Sequence, residues 1–259
     1  MNDATKSQTD LSNMFSNTGV VWESAEANAS EKNLIEKTNF RTGDVDYFND
    51  LITIFANDVV PNVGNTASKG VAGSLTDINP DGTEGRTVKV DELGRELNQC
   101  FGKGLIGALV VDQMANNYLS PGKLNSATSI EDIGHYWDEG FGYLYGLDCS
   151  GTGNTTVAND VLLNKYLGKV NDDGSALGQP GIEDQIYKAF REGRIAIQAE
   201  DDVTRDAKAV IISELISKVV AVKAIQYLED AAAGLSLDPN TGEYVITADY
   251  IHDLSEGYG

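Results

Sequence analysis

The sequence has few of the residues that build redox and nucleic-acid-binding sites. Its 259 residues include two cysteines, Cys100 and Cys149, too few for a disulfide framework or a cysteine zinc site. Basic residues are also scarce, with 19 Lys and Arg against 40 Asp and Glu, and the formal net charge is −21. Such a chain repels the phosphate backbone, which excludes nucleic-acid binding by bulk attraction. The charge favours solubility, or the attraction of cations at a local site.

Long hydrophobic runs are absent as well. No stretch approaches the roughly 18 consecutive apolar residues of a membrane-spanning helix, so no transmembrane segment is predicted. The opening residues Met1–Lys6 are not followed by the apolar stretch of a signal peptide. Hydrophobic residues make up 41% of the chain, which is ordinary for a globular protein, and its length suits one large domain or two small ones.

Both histidines of the chain lie in one recurring pattern. In Gly134–Tyr143 and again in Ile251–Gly259, a histidine is followed four residues later by glutamate, and then by glycine, an aromatic residue and glycine. This repetition predicts an internal duplication. In a helix, residues four apart share a face, so each copy presents an imidazole and a carboxylate side by side.

The two copies together contain a candidate set of metal ligands. If His135, Glu139, His252 and Glu256 meet between two helices, they supply imidazole and carboxylate ligands suited to zinc or iron, as in helix-bundle metal sites. We therefore predict that these four residues bind one divalent metal ion, or a small ligand, in a polar pocket.

Three further residues are candidates for a supporting shell around this pocket, namely Asp112, Asp138 and Trp137. The alternative is that both motifs are core helices, with Trp137 inside the bundle and each histidine hydrogen-bonded to its glutamate. Under that alternative the protein is a structural or protein-interaction module with no metal and no catalysis.

The sequence does not favour an enzyme. Neither motif has the His-Glu-x-x-His arrangement that supplies two metal ligands and a general base, and a peptidase is therefore not indicated. No serine or cysteine nucleophile has a recognisable local signature. We assign no catalytic residue, and apart from the divalent metal the sequence names no cofactor and no protein partner.

Apolar residues recur with the period of a helix along the longest patterned segments. The pattern predicts helices at Asp44–Asn57, Leu93–Leu119, Glu183–Glu200 and Val203–Ala233, whereas strand patterns are few and short. We predict an all-α helical bundle with two related halves, long loops and at most short β ribbons.

The chain is expected to have three regions. Residues 1–30 form a polar leader that is predicted to be loosely ordered. Residues 31–170 form the first helical half and residues 171–259 the second, which is expected to be truncated at its C-terminus because it stops directly after its motif. Thr128 and Ser129 are the candidate N-caps of the first motif helix, and Thr247 is the predicted N-cap of the second.

Two short patterns imitate known ligand-binding loops. Asp77–Thr83 copies the opening of an EF-hand loop but lacks the bidentate glutamate at position twelve, so an Asx-rich turn is the favoured interpretation. Gly102–Gly107 has the spacing G-x-G-x-x-G but follows a predicted helix rather than a strand, which does not fit a nucleotide-binding loop.

Several segments together resemble one uncharacterised bacterial family, that of domain of unknown function 4856. The segments are Lys103–Ala108, Asp112–Gln113, Asn117–Ser120, His135–Tyr143, Ile225–Leu228 and Leu254–Gly259. The chain is also similar, more distantly, to the imelysin-like proteins, which are all-α, contain two related helical bundles and are linked to iron uptake. The resemblance implies a protein of the bacterial cell envelope or periplasm, exported or anchored as a lipoprotein.

One departure from the imelysin pattern concerns the motif itself. The imelysin-like proteins carry Gly-x-His-x-x-Glu, whereas here Gly134 directly precedes His135 and the third residue after the histidine is Asp138.

Overall fold

The computed structural model of the chain describes residues 1–146, 162–175 and 181–259, with the backbone alone for residues 171–175. The chain is 64% helical, which confirms the predicted all-α class. In the described residues no helix is both long enough and apolar enough to cross a membrane. Cys149 lies outside the described residues. Cys100 is a buried free thiol, and burial raises its pKa to about 11.

The secondary structure consists of helices and two short β ribbons. The α-helices are α1 (Gln8–Ser16), α2 (Ala25–Ala29), α3 (Leu34–Lys37), α4 (Asp44–Ile54), α5 (Leu97–Leu105), α6 (Pro121–Leu124), α7 (Ile130–Tyr145), α8 (Leu162–Ser175), α9 (Ile182–Gln198), α10 (Asp202–Gly234) and α11 (Ala248–Tyr258). The strands are β1 (Gly73–Ile78), β2 (Glu84–Val90), β3 (Ser236–Leu237) and β4 (Tyr244–Val245), paired antiparallel as β1 with β2 and β3 with β4. Two π-helical segments, Phe55–Val59 and Ile106–Tyr118, continue α4 and α5, and a 3-10 turn covers Val60–Asn62.

The chain folds into two compact units. The first unit combines Met1–Leu105 with Ala224–Gly259, and the second is the continuous stretch Ile106–Lys223. These boundaries differ from those of the halves 31–170 and 171–259, and they place the two histidine motifs in different units. The relation of the motifs by duplication stays a prediction.

The first unit has an aromatic core. Phe15, Phe48 and Phe101 meet at tilted or edge-to-face angles, with ring centroids 5.1 to 5.8 Å apart, a geometry that aromatic pairs prefer. Next to it, Val88 and Ile251 belong to a smaller cluster that packs α11 against the β1–β2 hairpin.

The polar leader contains a well-formed helix. A capping box begins α1, in which the side chains of Ser7 and Asp10 accept hydrogen bonds from each other's backbone N–H. Leu11 and Phe15, four residues apart, are both buried. The composition of residues 1–30 does not predict this helix, because the helix buries only two side chains and the segment is otherwise polar.

The hairpin that joins β1 to β2 turns at the segment that imitates an EF-hand. The Asp81 carboxylate accepts a hydrogen bond from the Thr83 backbone N–H over 3.0 Å, and Gly82 has a φ of 84°. Such a bond two residues ahead defines an Asx turn, so this prediction is confirmed.

The predicted long helix Leu93–Leu119 begins later and changes geometry along its length. Gly94 has a φ of 78°, and the Asp91 carboxylate accepts hydrogen bonds from the backbone N–H groups of Leu93 and Arg95, so these residues form a turn. The helix therefore starts at Leu97, and from Ile106 it continues as a π-helix. Gly102–Gly107 lies inside this helical stretch, which agrees with the rejection of a nucleotide-binding loop.

The second unit packs its helices around one large indole. Trp137 of α7 is 1% exposed, and its ring lies edge-on to Phe190 of α9 at 5.9 Å between centroids. Gly193, one turn after Phe190, leaves the space that the indole fills, because a Cβ built there would come within 2.1 Å of the ring. Trp137 is thus the core anchor that the alternative interpretation of the motif expected.

Candidate metal centre

The second motif helix, α11, is held at its N-terminus by two side chains. Thr247 accepts a hydrogen bond from the Tyr250 N–H over 3.0 Å, as the sequence predicts for an N-cap. The Asp77 carboxylate, from the end of β1, accepts hydrogen bonds from the N–H groups of Ala248 and Asp249 over 2.7 and 3.0 Å. These bonds satisfy orphan donors of the first turn and fix the helix that carries the histidine.

Replacement of Asp77 by alanine is expected to lower the free energy of unfolding by ~1–2 kcal/mol, because it leaves two helix donors without their acceptor. Urea unfolding and amide hydrogen exchange of α11 would measure this loss. Asp81→Ala is the matched control, because Asp81 bonds only within its own exposed turn. Equal losses in the two variants would contradict a capping role for Asp77.

The imidazole of the second motif meets a buried carboxylate from the turn before α5. His252 Nδ1 lies 2.7 Å from Glu96 Oε2. Glu96 is itself fixed, because its backbone N–H donates to Ser255 Oγ over 2.9 Å and its Oε1 accepts from the Asn98 amide over 3.2 Å. His252 and Ser255 lie three residues apart on one face of α11, so a single helix face supplies both contacts.

The glutamate of the same motif pairs with a lysine of α5. Glu256 Oε1 lies 2.9 Å from Lys103 Nζ and 3.5 Å from His252 Nε2. Burial acts to raise the pKa of Glu256, but hydrogen bonds from Lys103 and Tyr227, together with the Lys103 charge, outweigh it and lower the pKa. Glu256 is therefore held as a carboxylate although its side chain is only 11% exposed.

A third acidic side chain completes the cluster. Ligand atoms of His252, Asp253 and Glu256 lie within 4.8 Å of one another, a grouping that is compatible with one metal ion. Burial, aided by the charge of Glu256, raises the pKa of Asp253. Glu96 adds a third carboxylate to the group, while two cations act on it: Lys103 pairs with Glu256 over 2.9 Å, and Arg86 interacts electrostatically with Glu96 and Asp253.

The hydrogen bond to Glu96 decides which nitrogen of His252 is available. An ionised carboxylate only accepts hydrogen bonds, so when Glu96 is ionised this short contact places a proton on Nδ1. In the neutral imidazole, Nε2 then carries the free lone pair, and this is the nitrogen nearest Glu256. A carboxylate that orients a histidine in this way is a recurring feature of protein metal sites.

The chain matches the model of a protein family over its whole length. A family model described as Domain of unknown function (DUF4856) matches residues 1–259, the whole chain. The chain belongs to the DUF4856 family. Comparison with curated proteins and with solved structures found no match. The family resemblance noted in the sequence is confirmed, and the more distant likeness to imelysin-like proteins stays a prediction.

The first motif of this DUF4856 chain has a different environment. His135 Nε2 lies 3.8 Å from Glu139 Oε1, which is too long for a hydrogen bond, and the His135 side chain is 67% exposed. His135 and Glu139 belong to the second unit, whereas His252 and Glu256 belong to the first. Binding of one ion by all four residues stays a prediction.

The three predicted supporting residues all lie in the second unit. Trp137 donates its indole N–H to the Phe190 carbonyl over 2.9 Å, and Asp138 pairs with Arg194 over 3.1 Å. Asp112 is buried and accepts a hydrogen bond from an asparagine side chain one turn further along the π-helix. Each of these three side chains therefore has a partner of its own within that unit.

Three residues of the cluster were missed by the sequence analysis. Asp253 directly follows His252 within the motif, so its position was a usable signal. Glu96 and Lys103 were not recognisable, because they lie more than 150 positions before the residues that they contact. Only the fold brings α5 alongside α11.

Proposed function

We propose that this protein binds one divalent transition-metal ion, zinc or ferrous iron, through His252, Asp253 and Glu256 in its first unit. The observation that carries the proposal is the contact of His252 Nδ1 with Glu96, which leaves Nε2 available as a ligand 3.5 Å from the Glu256 carboxylate. Imidazole and carboxylate ligands suit zinc and iron, and three protein ligands leave positions open for water or a small ligand.

The spacing of the ligand atoms supports this assignment. Ligands of one ion, each about 2.0–2.2 Å from it, lie roughly 3–3.5 Å apart in a tetrahedral site. The three side chains lie within 4.8 Å of one another, so rotation about their own side-chain bonds is sufficient to close the set. A location in the bacterial cell envelope or periplasm, which the resemblance to the DUF4856 family implies, belongs to the same proposal.

One observation favours the alternative of a structural module without metal. Lys103 already balances the negative charge of Glu256 over 2.9 Å. Acidic and basic side chains alternate in the order Glu96, His252, Glu256 and Lys103, and such an ionic network can stabilise the contact of α5 with α11. In the metal-binding interpretation, the ammonium group competes with the ion for the same carboxylate. The two interpretations therefore make opposite predictions for Lys103.

Calorimetric titration of the full, chelator-treated chain with zinc, and with ferrous iron without oxygen, tests the proposal. About one ion per chain is expected to bind. His252→Ala should abolish this binding because it removes a ligand. Glu96→Gln should weaken it about 10–100-fold, the usual effect of losing the partner that orients a ligating histidine. Lys103→Met should tighten it, because it removes a competing cation.

His135→Ala is the matched control, since His135 also precedes a glutamate by four residues on a helix. It should leave metal affinity unchanged if the site lies in the first unit alone, and weaken it if all four predicted ligands act together. Failure of the folded wild-type chain to bind either ion would reject the metal proposal. Lys103→Met would then only lower stability, as the structural alternative requires.

A further inference from the structure

The first unit also contains an apolar cavity that the proposed metal site does not use. The cavity has a volume of about 150 Å³ and is partly open to solvent. Its inner wall is formed by Leu11 and Phe15 of α1, Ile52 of α4 and Phe101 of α5. The side chains that line it are all aliphatic, aromatic or thioether groups. A space of this kind holds water poorly, because a buried water needs two to four polar partners.

The outer wall of the cavity is an indole that hydrogen bonds hold in place. Trp22 lines the cavity and donates its Nε1–H to the Asn17 side-chain oxygen over 2.7 Å. Its backbone is fixed as well, since the Asn28 side chain accepts from the Trp22 N–H over 2.7 Å and donates back to the Trp22 carbonyl. Trp22 is therefore held in the cavity wall by polar contacts of its indole N–H and of its backbone.

The segment that carries Trp22 is organised around one amide. Asn17, in the left-handed conformation at the end of α1, donates hydrogen bonds to the carbonyls of Ser30 and Lys32 over 3.0 and 2.9 Å. These bonds fix the start of the segment to its end, just before Leu34, another residue of the cavity wall. The rim is thus formed in advance of any ligand, which lowers the entropic cost of binding.

We propose that this Trp22 cavity binds a small apolar molecule about the size of one six-membered ring. An apolar cavity of roughly 150 Å³ is large enough for benzene, as established in another protein. Its lining forfeits dispersion contacts while the space is empty, and an apolar guest restores them. None of the lining side chains is charged, and burial lowers the pKa of the α-amino group of Met1, which also lines the cavity, so both features disfavour charge there. The inference is independent of metal binding.

Fluorescence quenching of the full chain by bromobenzene tests this inference, because the heavy atom quenches an indole that it touches. The chain has two tryptophans, and Trp137 is buried in the second unit, where it serves as an internal reference. Saturable quenching of the wild-type chain is expected. Trp22→Phe should lose the saturable component, since only Trp137 then reports.

Leu11→Phe should also abolish the saturable quenching, because the larger side chain fills the cavity while Trp22 is retained. Quenching that rises without saturation in the wild type, or that persists in Leu11→Phe, would overturn the proposal. Thermal unfolding of the wild-type chain gives a readout that does not depend on fluorescence or on the folding of Leu11→Phe. Bromobenzene should raise the midpoint of the wild-type chain by binding the native state, and an unchanged midpoint counts against the site.

Discussion

Trp137→Ala is expected to lower the free energy of unfolding of the second unit by ~3–5 kcal/mol, the usual cost of truncating a large aromatic core residue. The ring is 1% exposed, lies edge-on to Phe190 and donates its N–H to the Phe190 carbonyl. Alanine would leave a cavity and would remove this hydrogen bond. Urea unfolding, with hydrogen exchange to assign the loss to α7 and α9, would measure the effect. A change below about 1 kcal/mol would contradict the core assignment.

A double-mutant cycle with Gly193 sharpens this test. A Cβ at position 193 would lie 2.1 Å from the indole, so Gly193→Ala alone should destabilise by ~1–3 kcal/mol through overpacking. In the Trp137→Ala background the same change should be neutral or stabilising, because the space is free and alanine is the better helix former. Gly142→Ala in α7 is the control. A Cβ added there would meet no neighbouring side chain within 4 Å among the described residues, so no clash is expected.

Phe48→Ala should lower the free energy of unfolding of the first unit by ~3–5 kcal/mol, as much as Trp137→Ala is expected to cost the second unit. Phe48 is 1% exposed, and its ring lies 5.8 Å from Phe15 and 5.1 Å from Phe101 between centroids. Its removal deletes three aromatic pairs, the third with Tyr47, as well as buried area. Because Phe15 and Phe101 also line the Trp22 cavity, the variant should loosen that wall too.

Phe40→Ala is the control for Phe48, because Phe40 is 47% exposed and its truncation should change stability by less than about 0.5 kcal/mol. Urea unfolding followed by Trp22 fluorescence, in a background where Trp137 is phenylalanine, would report on the first unit alone. Similar losses for the two phenylalanines would show that the aromatic cluster is not the centre of this core.

Local signals in the sequence were sufficient for the longest helices and for candidate N-caps of the two motif helices. Ser129 and Thr247 were readable as N-caps because each bonds an N–H only three residues ahead. Strand β1 was not, since Gly73–Ile78 contains glycine, serine and aspartate and gains its strand character from pairing with β2. The late start of α5 depends on the conformation of Gly94, which no helical periodicity reveals.

Only part of the candidate site could be predicted from the sequence, for a related reason. His252 and Glu256 were found because a helix places residues four apart on one face, which is a local rule. Their different surroundings from His135 and Glu139 could not be found in this way, because the two motifs share one pattern. Burial depends on what each helix packs against, and the partner of α11 is a segment distant in sequence.

The first unit consists of two separate segments of the chain, and these segments are synthesised at different times. A chain is made from its N-terminus, so all of the second unit, residues 106–223, is synthesised before the final segment of the first unit, residues 224–259. Glu96 is made early and His252 late, and the contact between them joins the two segments of the unit. A nascent chain therefore cannot form this contact until the whole second unit has been synthesised and residue 252 has followed it.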